Sequence, residues 1–283
     1  MSKPHSLFRL TQKLYGVPHL IEKRSFESIS SYLDSRNTSM MILPPLVDPE
    51  PAEEPDDLDD INGVGVIEIS GPLTYKSSGW ESLCGGCSYE SILEQAEDYI
   101  EEGATCIVLI VDSGGGEAYG MMETADTLRK MCDDAEIPLI AYVDGCSASA
   151  AYGLSCAADA VIANPYAEVG SVGVLIQLMD QSKYLEKEGI KPVFVSAGNE
   201  KIPYAEDMSF RPEFIKDLQY KVDSLYQAFA THVSNYTGMS VEDVKATQAK
   251  VYLAEDAKKI GFINEIMTRS EFVSYVANLQ KDS

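Results

Sequence analysis

The chain has 283 residues, 45% of them hydrophobic, which is enough apolar material for one large domain or two small ones. Its 45 Asp and Glu against 22 Lys and Arg give a formal net charge of -23, which argues against nucleic acid as the main partner, since phosphate binding needs clustered positive charge. No apolar run reaches the ~18–20 residues of a membrane helix, and the first residues lack the apolar core of a secretory signal. The expectation is therefore a cytoplasmic protein with no membrane span.

In chain order, residues 1–45 carry Leu7, Phe8, Leu10 and Leu14, then Phe26, Ile29, Tyr32 and Leu33. That spacing predicts two short amphipathic helices in an N-terminal arm. Residues 46–62 follow as an acidic, Pro-rich linker, a composition that buries little apolar surface. The remaining residues, 63–283, form the folded domain. It opens with a strand at 64–70, then Ile92, Leu93, Ala96, Tyr99 and Ile100 at helical spacing. The continuous apolar run at 106–111 reads as a strand buried on both faces, and it ends in DSGGG at 112–116. A helix with Ala118, Met121, Met122, Ala125 and Leu128 on one face comes next. Strands are expected at 138–143, 160–163, 172–178 and 191–195, with a short helix starting after Ser149. A long helix from Pro212 carries the stripe Phe214, Leu218, Val222, Leu225, Phe229 and Val233. Short helices surround a small strand at 262–266, and Gly261 suits the stop of the helix before it. Strand and helix alternate, so the class is α/β with a mainly parallel, buried sheet.

The stretch at 143–174, VDGCSASAAYGLSCAADAVIANPYAEVGSVGV, is small, apolar and almost uncharged. Its run of Ser147, Ala148, Ser149, Ala150 and Ala151 lets backbones approach closely and leaves a hydroxyl bare at a helix start, near orphan N–H groups. Such a place favours a nucleophile whose attack creates an oxyanion. The glycines at 114–116 bare their N–H groups at the carboxyl end of a buried strand, where ligands of open α/β sheets gather. Neither GxGxxG nor a P-loop is present. His5, His19 and His232 do not support a Ser-His-Asp triad or a metal site. Cys84 and Cys87 have redox or zinc-knuckle spacing, but no second pair completes a site. Neither a metal nor any other cofactor is expected. A base for a serine remains to be found, and a lysine serves if burial lowers its pKa from ~10.4 toward ~7–8. Lys201, between a strand and a turn with mostly neutral flanks, is the candidate.

Four short runs, SAAY at 149–152, DSGGG at 112–116, VGSVGV at 169–174 and AGNEK at 197–201, together resemble the signal peptide peptidase A family. These are Ser-Lys serine peptidases of the Clp/crotonase-like fold, and the single core behind a helical arm looks most like the phage capsid-assembly (head maturation) type. The resemblance spans roughly residues 64–266. It implies Ser149 as nucleophile and Lys201 as general base. It implies N–H groups of Gly115, Gly116 and Ala150 as the oxyanion hole, and Ser171 as the residue that orients the lysine. It further implies a protein or peptide substrate, possibly a capsid or scaffold protein, and a homo-oligomer in the host cytoplasm or procapsid. Gly114 stands where the family has proline. Ser147 is the rival nucleophile. Competing readings are a soluble bacterial peptidase of the same family, a crotonase-like acyl-CoA enzyme, which needs neither Ser149 nor Lys201, and a non-catalytic assembly scaffold.

Overall fold

A computed structural model describes residues 18–23, 27, 58, 61–76 and 86–282. The arm helices expected from the first 33 residues, and Cys84, lie almost wholly outside them. The elements among the described residues are β1 (His19–Ile21), β2 (Val64–Ser70), β3 (Leu73–Thr74), β4 (Cys87–Ser88), α1 (Tyr89–Glu101), β5 (Cys106–Ser113), β6 (Gly115–Glu117), α2 (Met121–Asp134), β7 (Leu139–Ala148), α3 (Ala150–Ser155), β8 (Ala160–Ala163), β9 (Glu168–Gly170), α4 (Ser182–Lys187), α5 (Pro212–Thr237), α6 (Val241–Ala246), β10 (Val251–Leu253), α7 (Ala254–Ile260), β11 (Glu265–Ile266) and α8 (Arg269–Asp282). The class is α/β with a mainly parallel sheet, as the alternation of apolar runs predicts.

Local chemistry sets many of the boundaries. Ser88 caps α1 through a reciprocal capping box with Ser91. Pro212 opens α5, and Gly238 closes it in the left-handed region at φ 74. Gly261 closes α7 in the same way at φ 89. β5 is buried along nearly its whole length because its Ile and Val side chains meet helices on both faces.

The main sheet runs β10-β9-β7-β5-β2, with β8 beside β7 and β11 beside β8. β2, β5, β7, β8 and β11 are parallel, and only β10 runs against its neighbour β9. β7 forks. Its first half, Ile140 to Val143, pairs with β8, whereas Cys146, Ser147 and Ala148 pair with β9. The pairing of β5 with β7 also shifts register between Val111 and Ser113. The carboxyl end of β7 thus turns away from β8 and delivers Ala148 to the start of α3.

One face of the sheet packs Ile67, Ile69, Leu109, Val111 and Val143 against Met121, Leu128 and Phe229 of the helices. On the other face, Val108, Ile140 and Tyr142 pack against Phe272 and Val276 of α8. Leu58, from the acidic stretch, is fully buried in this second cluster. A small second sheet, β1-β6-β3-β4, lies at the glycine loop.

Two expected strands are absent. Residues 172–178 are irregular apart from an isolated bridge between Leu175 and His19. The left-handed turn at Ser171 (φ 56) ends β9 before that run begins. Residues 191–195 pair with nothing among the described residues, and Val193 and Val195 are 83% and 98% exposed. An apolar β-type pattern makes a strand only where an edge is available to receive it. The strand expected at 262–266 is confined to Glu265 and Ile266, since Phe262 is a buried anchor after the α7 stop.

Phe272 is fully buried and its ring stacks on Tyr142 at 4.4 Å. Phe272→Ala is expected to lower stability by about 3–5 kcal/mol, read from the urea midpoint at unchanged m.

Candidate active site

Ser149 occupies the turn between β7 and α3 with φ 57 and ψ -119, a backbone conformation rare for a residue with a Cβ. Such a conformation costs on the order of 1–3 kcal/mol and persists only where the surroundings hold it. Here the Ser149 N–H donates to Gly170 O at 2.7 Å, and the Gly153 N–H donates to Ser149 O at 2.9 Å. The neighbours Ala148, Ala150 and Ala151 are fully buried, so a larger side chain has no room there. Ser149 is itself fully buried, and its Oγ has no hydrogen-bond partner among the described residues. A buried hydroxyl in that state costs about 1–3 kcal/mol and calls for a reason.

Ser147 differs. Its Oγ lies 2.9 Å from Ser155 Oγ, which also donates to Ala151 O. The hydroxyl of Ser147 is tied into the core and that of Ser149 is held in reserve.

The glycine loop closes on this turn. Gly115 has φ 96, and a methyl group there would sit 2.2 Å from Leu20 O and 2.9 Å from both Ala148 O and Ala150 N. At Gly116 the same addition would meet Leu73 O at 2.0 Å. These two positions demand glycine for space, and Gly115 for its backbone angle as well. The structure thus brings Gly115 against the Ala150 N–H. The Gly115 N–H itself donates to Ser113 Oγ at 3.1 Å, and Ser113 Oγ donates to Gly71 O at 2.6 Å.

β1 holds the loop from outside. Leu20 and Ile21 pair with Gly116 and Gly115, and Glu22 N–H donates to Gly114 O at 2.6 Å. His19 also exchanges backbone hydrogen bonds with Leu175 at 2.9 and 3.1 Å, so β1 bridges the glycine loop and the segment after Ser171. Nothing in the sequence signals this clamp, because three residues carry no periodicity of their own.

Ser171 follows Gly170 directly and is buried, with its N–H donating to Lys250 O at 3.0 Å. The strand β9 that positions Ser149 therefore also presents Ser171. The supporting loop is strained in turn: Gln248 and Ala249 have φ 50 and 56.

Lys201 makes no hydrogen bond to Ser149 Oγ. It ends a short 3-10 turn, Asn199–Lys201, on a projecting arm and is exposed. The neighbouring Glu200 pairs with Arg211 at 3.0 Å. Of the expected site residues, Ser149, Ala150, Gly115, Gly116 and Ser171 lie around one turn, whereas Lys201 is exposed and has no hydrogen bond to the Ser149 hydroxyl.

Other nucleophiles and ligands are not competitive. Burial pushes the Cys106 thiol up to about 12 and the Cys132 thiol up to about 11, so neither is a thiolate near neutrality. No group of three or more potential metal ligands occurs among the described residues. His232, which the sequence placed near the stripe of a long helix, is buried against Gly153 of α3. That contact spans 79 positions and no local pattern announces it.

A serine on a strained turn at the carboxyl end of a parallel strand, beside backbone bared by glycines, defines the class of hydroxyl-nucleophile sites. The chain belongs to Peptidase family S49, whose sequence profile matches residues 132–282. It is 25% identical over 218 residues to the Head-tail preconnector protein GP5 of Enterobacteria phage P21, covering 77% of this chain and 43% of that protein. It is 29% identical over 222 residues to the Capsid assembly protease C of Escherichia phage lambda, covering 76% and 48%. It is 26% identical over 225 residues to Protease 4 of Haemophilus influenzae, covering 77% and 35%. The chain spans less than half the length of each of these three relatives. Among solved structures, a ClpP1 mutant from Listeria monocytogenes superposes with a TM-score of 0.47 at 16% identity, over 74% of this chain and 94% of that one. No helix among the described residues is long and apolar enough to cross a membrane.

Gly115→Ala is expected to destabilise the fold by at least about 1–3 kcal/mol and to expose the 18–22 segment to limited proteolysis, because the methyl group displaces Leu20. The buried His232 has its pKa held below the usual 6.5, chiefly by loss of solvation. The unfolded chain therefore binds more protons than the folded one between that lowered value and 6.5, and stability falls as pH drops through this window. Urea midpoints taken across pH 5–7 are expected to show this slope, and His232→Gln is expected to flatten it.

Proposed function

We propose that this chain is a serine endopeptidase that uses a Ser149–Lys201 dyad, and that the dyad is completed between copies of the chain. The observation that carries the reading is the Ser149 hydroxyl: strained, buried, unpartnered, and set against the Ala150 N–H and Gly115. A neutral Lys201 amine takes the Ser149 proton as the oxygen attacks a peptide carbonyl. The oxyanion accepts from the Ala150 N–H, and from the Gly115 N–H once that donor leaves Ser113 Oγ. The protonated lysine then delivers its proton to the departing amine, and water, deprotonated in the same way, releases the acid from the acyl-enzyme. Ser171, which directly follows the strand that pins Ser149, is the residue that directs the amine in this reading.

The exposure of Lys201 favours completion across copies. A lysine in water keeps its proton, so the base needs a surface to bury it. The arm that bears Lys201 exposes Phe194 together with Val193 and Val195, and a stack of Phe194, Tyr204, Phe210 and Phe214 rings runs along it. An apolar patch of this kind marks an interaction surface. A neighbour receiving it would desolvate Lys201 and supply it to Ser149. The head-to-tail geometry this requires closes naturally into a ring.

The names of the phage relatives, Capsid assembly protease C and Head-tail preconnector protein GP5, support a role in capsid maturation. The substrate is then a capsid or scaffold protein, and the setting is the host cytoplasm or the procapsid.

Ser149→Ala and Lys201→Ala are each expected to lower cleavage of an unfolded protein substrate by at least about a thousandfold. Co-expressed in equal amounts, the two variants are expected to regain about a quarter of wild-type activity in mixed assemblies, since a ring site is complete only where an intact serine meets an intact lysine. No recovery would place both groups in one chain, and activity surviving in Ser149→Ala would end the reading.

A further inference from the structure

Helix α5 is a rod of 26 residues, about 39 Å long. Its N-terminal end follows the arm that carries Lys201. From Pro212 to Tyr226 only Leu218 is buried. Its far end is buried through Phe229, Ala230, His232 and Val233. There it meets α3, the helix that starts at Ser149. The approach is close: a methyl group on Gly153 would lie 2.3 Å from Met121 Sδ and 3.1 Å from Phe229 Cε2.

At this contact His232 Nε2 lies 2.8 Å from Gly153 O. A carbonyl oxygen only accepts, so Nε2 carries the proton and the neutral ring leaves Nδ1 bare. Nδ1 faces Asp126 Oδ1 of α2 at 3.7 Å, and the same oxygen accepts the Tyr236 hydroxyl at 2.7 Å. The Tyr236 ring meets the imidazole edge-on at 5.0 Å. Asp126 anchors the Tyr236 hydroxyl, and the Tyr236 ring in turn packs the imidazole in the orientation that aims Nε2–H at α3. The Gly153 N–H closes the first turn on Ser149 O at 2.9 Å. One residue, Gly153, therefore stands between the imidazole and the strained residue. α3 has only six residues, so it makes few internal hydrogen bonds and depends on outside groups to hold its turns.

We propose that His232 is a positioning residue for the Ser149 site: its Nε2–H clamps Gly153 O, and this contact fixes the first turn of α3 to the buried end of the helix whose other end follows the Lys201 arm. The proposal rests on Ser149 being the nucleophile. His232 takes no proton from substrate. It acts on the placement of Ser149 and, through α5, ties the nucleophile turn to the arm.

The test uses the full-length assembled protein, a fluorophosphonate probe and an unfolded protein substrate. His232→Leu keeps the bulk and removes the donor, and His232→Gln puts an amide N–H near the place of Nε2. The Leu variant, folded and assembled as the wild type by circular dichroism and sedimentation, is expected to be labelled at Ser149 about tenfold more slowly. Its kcat is expected to fall by a similar factor with KM within about twofold. The Gln variant is expected to recover most of the labelling rate and to keep the wild-type pH profile of kcat, as a group outside the proton path must. Labelling of the Leu variant at the wild-type rate would overturn the proposal, as would a Gln variant that keeps the rate but loses one limb of the pH profile. Should the Leu variant fail to fold, Asp126→Ala decides. That side chain is 63% exposed, and its removal releases the Tyr236 hydroxyl and with it the ring that packs on the imidazole. Labelling slowed about threefold supports the clamp and an unchanged rate sinks it. A wild-type protein that the probe does not label at Ser149 would instead remove the nucleophile assignment on which the proposal stands.

Discussion

Two backbone hydrogen bonds hold Ser149 in a conformation that a residue with a Cβ avoids. One runs from its own N–H to Gly170 O and the other from the Gly153 N–H to its carbonyl. A reversal of this sharpness is needed to pass from β7 into α3 while leaving the serine hydroxyl out of any internal bond. Its energetic cost, about 1–3 kcal/mol, has to be met by packing nearby. That requirement explains why the residues around it are small. Ala148, Ala150 and Ala151 are fully sealed, and Gly115 and Gly116 stand where any side chain would strike backbone.

The scaffold satisfies this requirement from several directions at once. The fork in β7 sends Ser147 and Ala148 toward β9, and β9 then provides the carbonyl that pins Ser149 and leads into the turn at Ser171. β1 crosses from the glycine loop to Leu175 and holds the two sides of the site at a fixed separation. Beneath, Tyr152 donates to Phe262 O at 2.9 Å, and Ser147 and Ser155 share a buried hydrogen bond. α3 is short, and its place is set almost entirely by these contacts from other elements.

The arm obeys a different rule. Its apolar side chains point outward, with Val195 98% exposed. Apolar surface this open is unfavourable in water, and the lysine at its tip remains solvated. The core of the chain is arranged around a finished serine turn, whereas the segment at 191–195 keeps its apolar side chains in solvent.

The sequence by itself determined the α/β class, the mainly parallel character of the sheet and the position of the serine turn. The continuous apolar run at 106–111, the helical stripe before Val233 and the small-residue run around Ser149 are local patterns legible without the fold. It also placed the glycines at 114–116 at the carboxyl end of a buried strand, though not the backbone atoms that forbid anything larger at 115 and 116. Only the tertiary structure decided that Ser147 is tied to Ser155 while Ser149 is free, and that residues 19–21 form a strand against the glycine loop. It alone set His232 against Gly153, and it left residues 191–195 without an edge to join. Each of these depends on which distant segment comes to lie alongside, and that is settled by packing of the whole chain rather than by the preferences of neighbours in sequence.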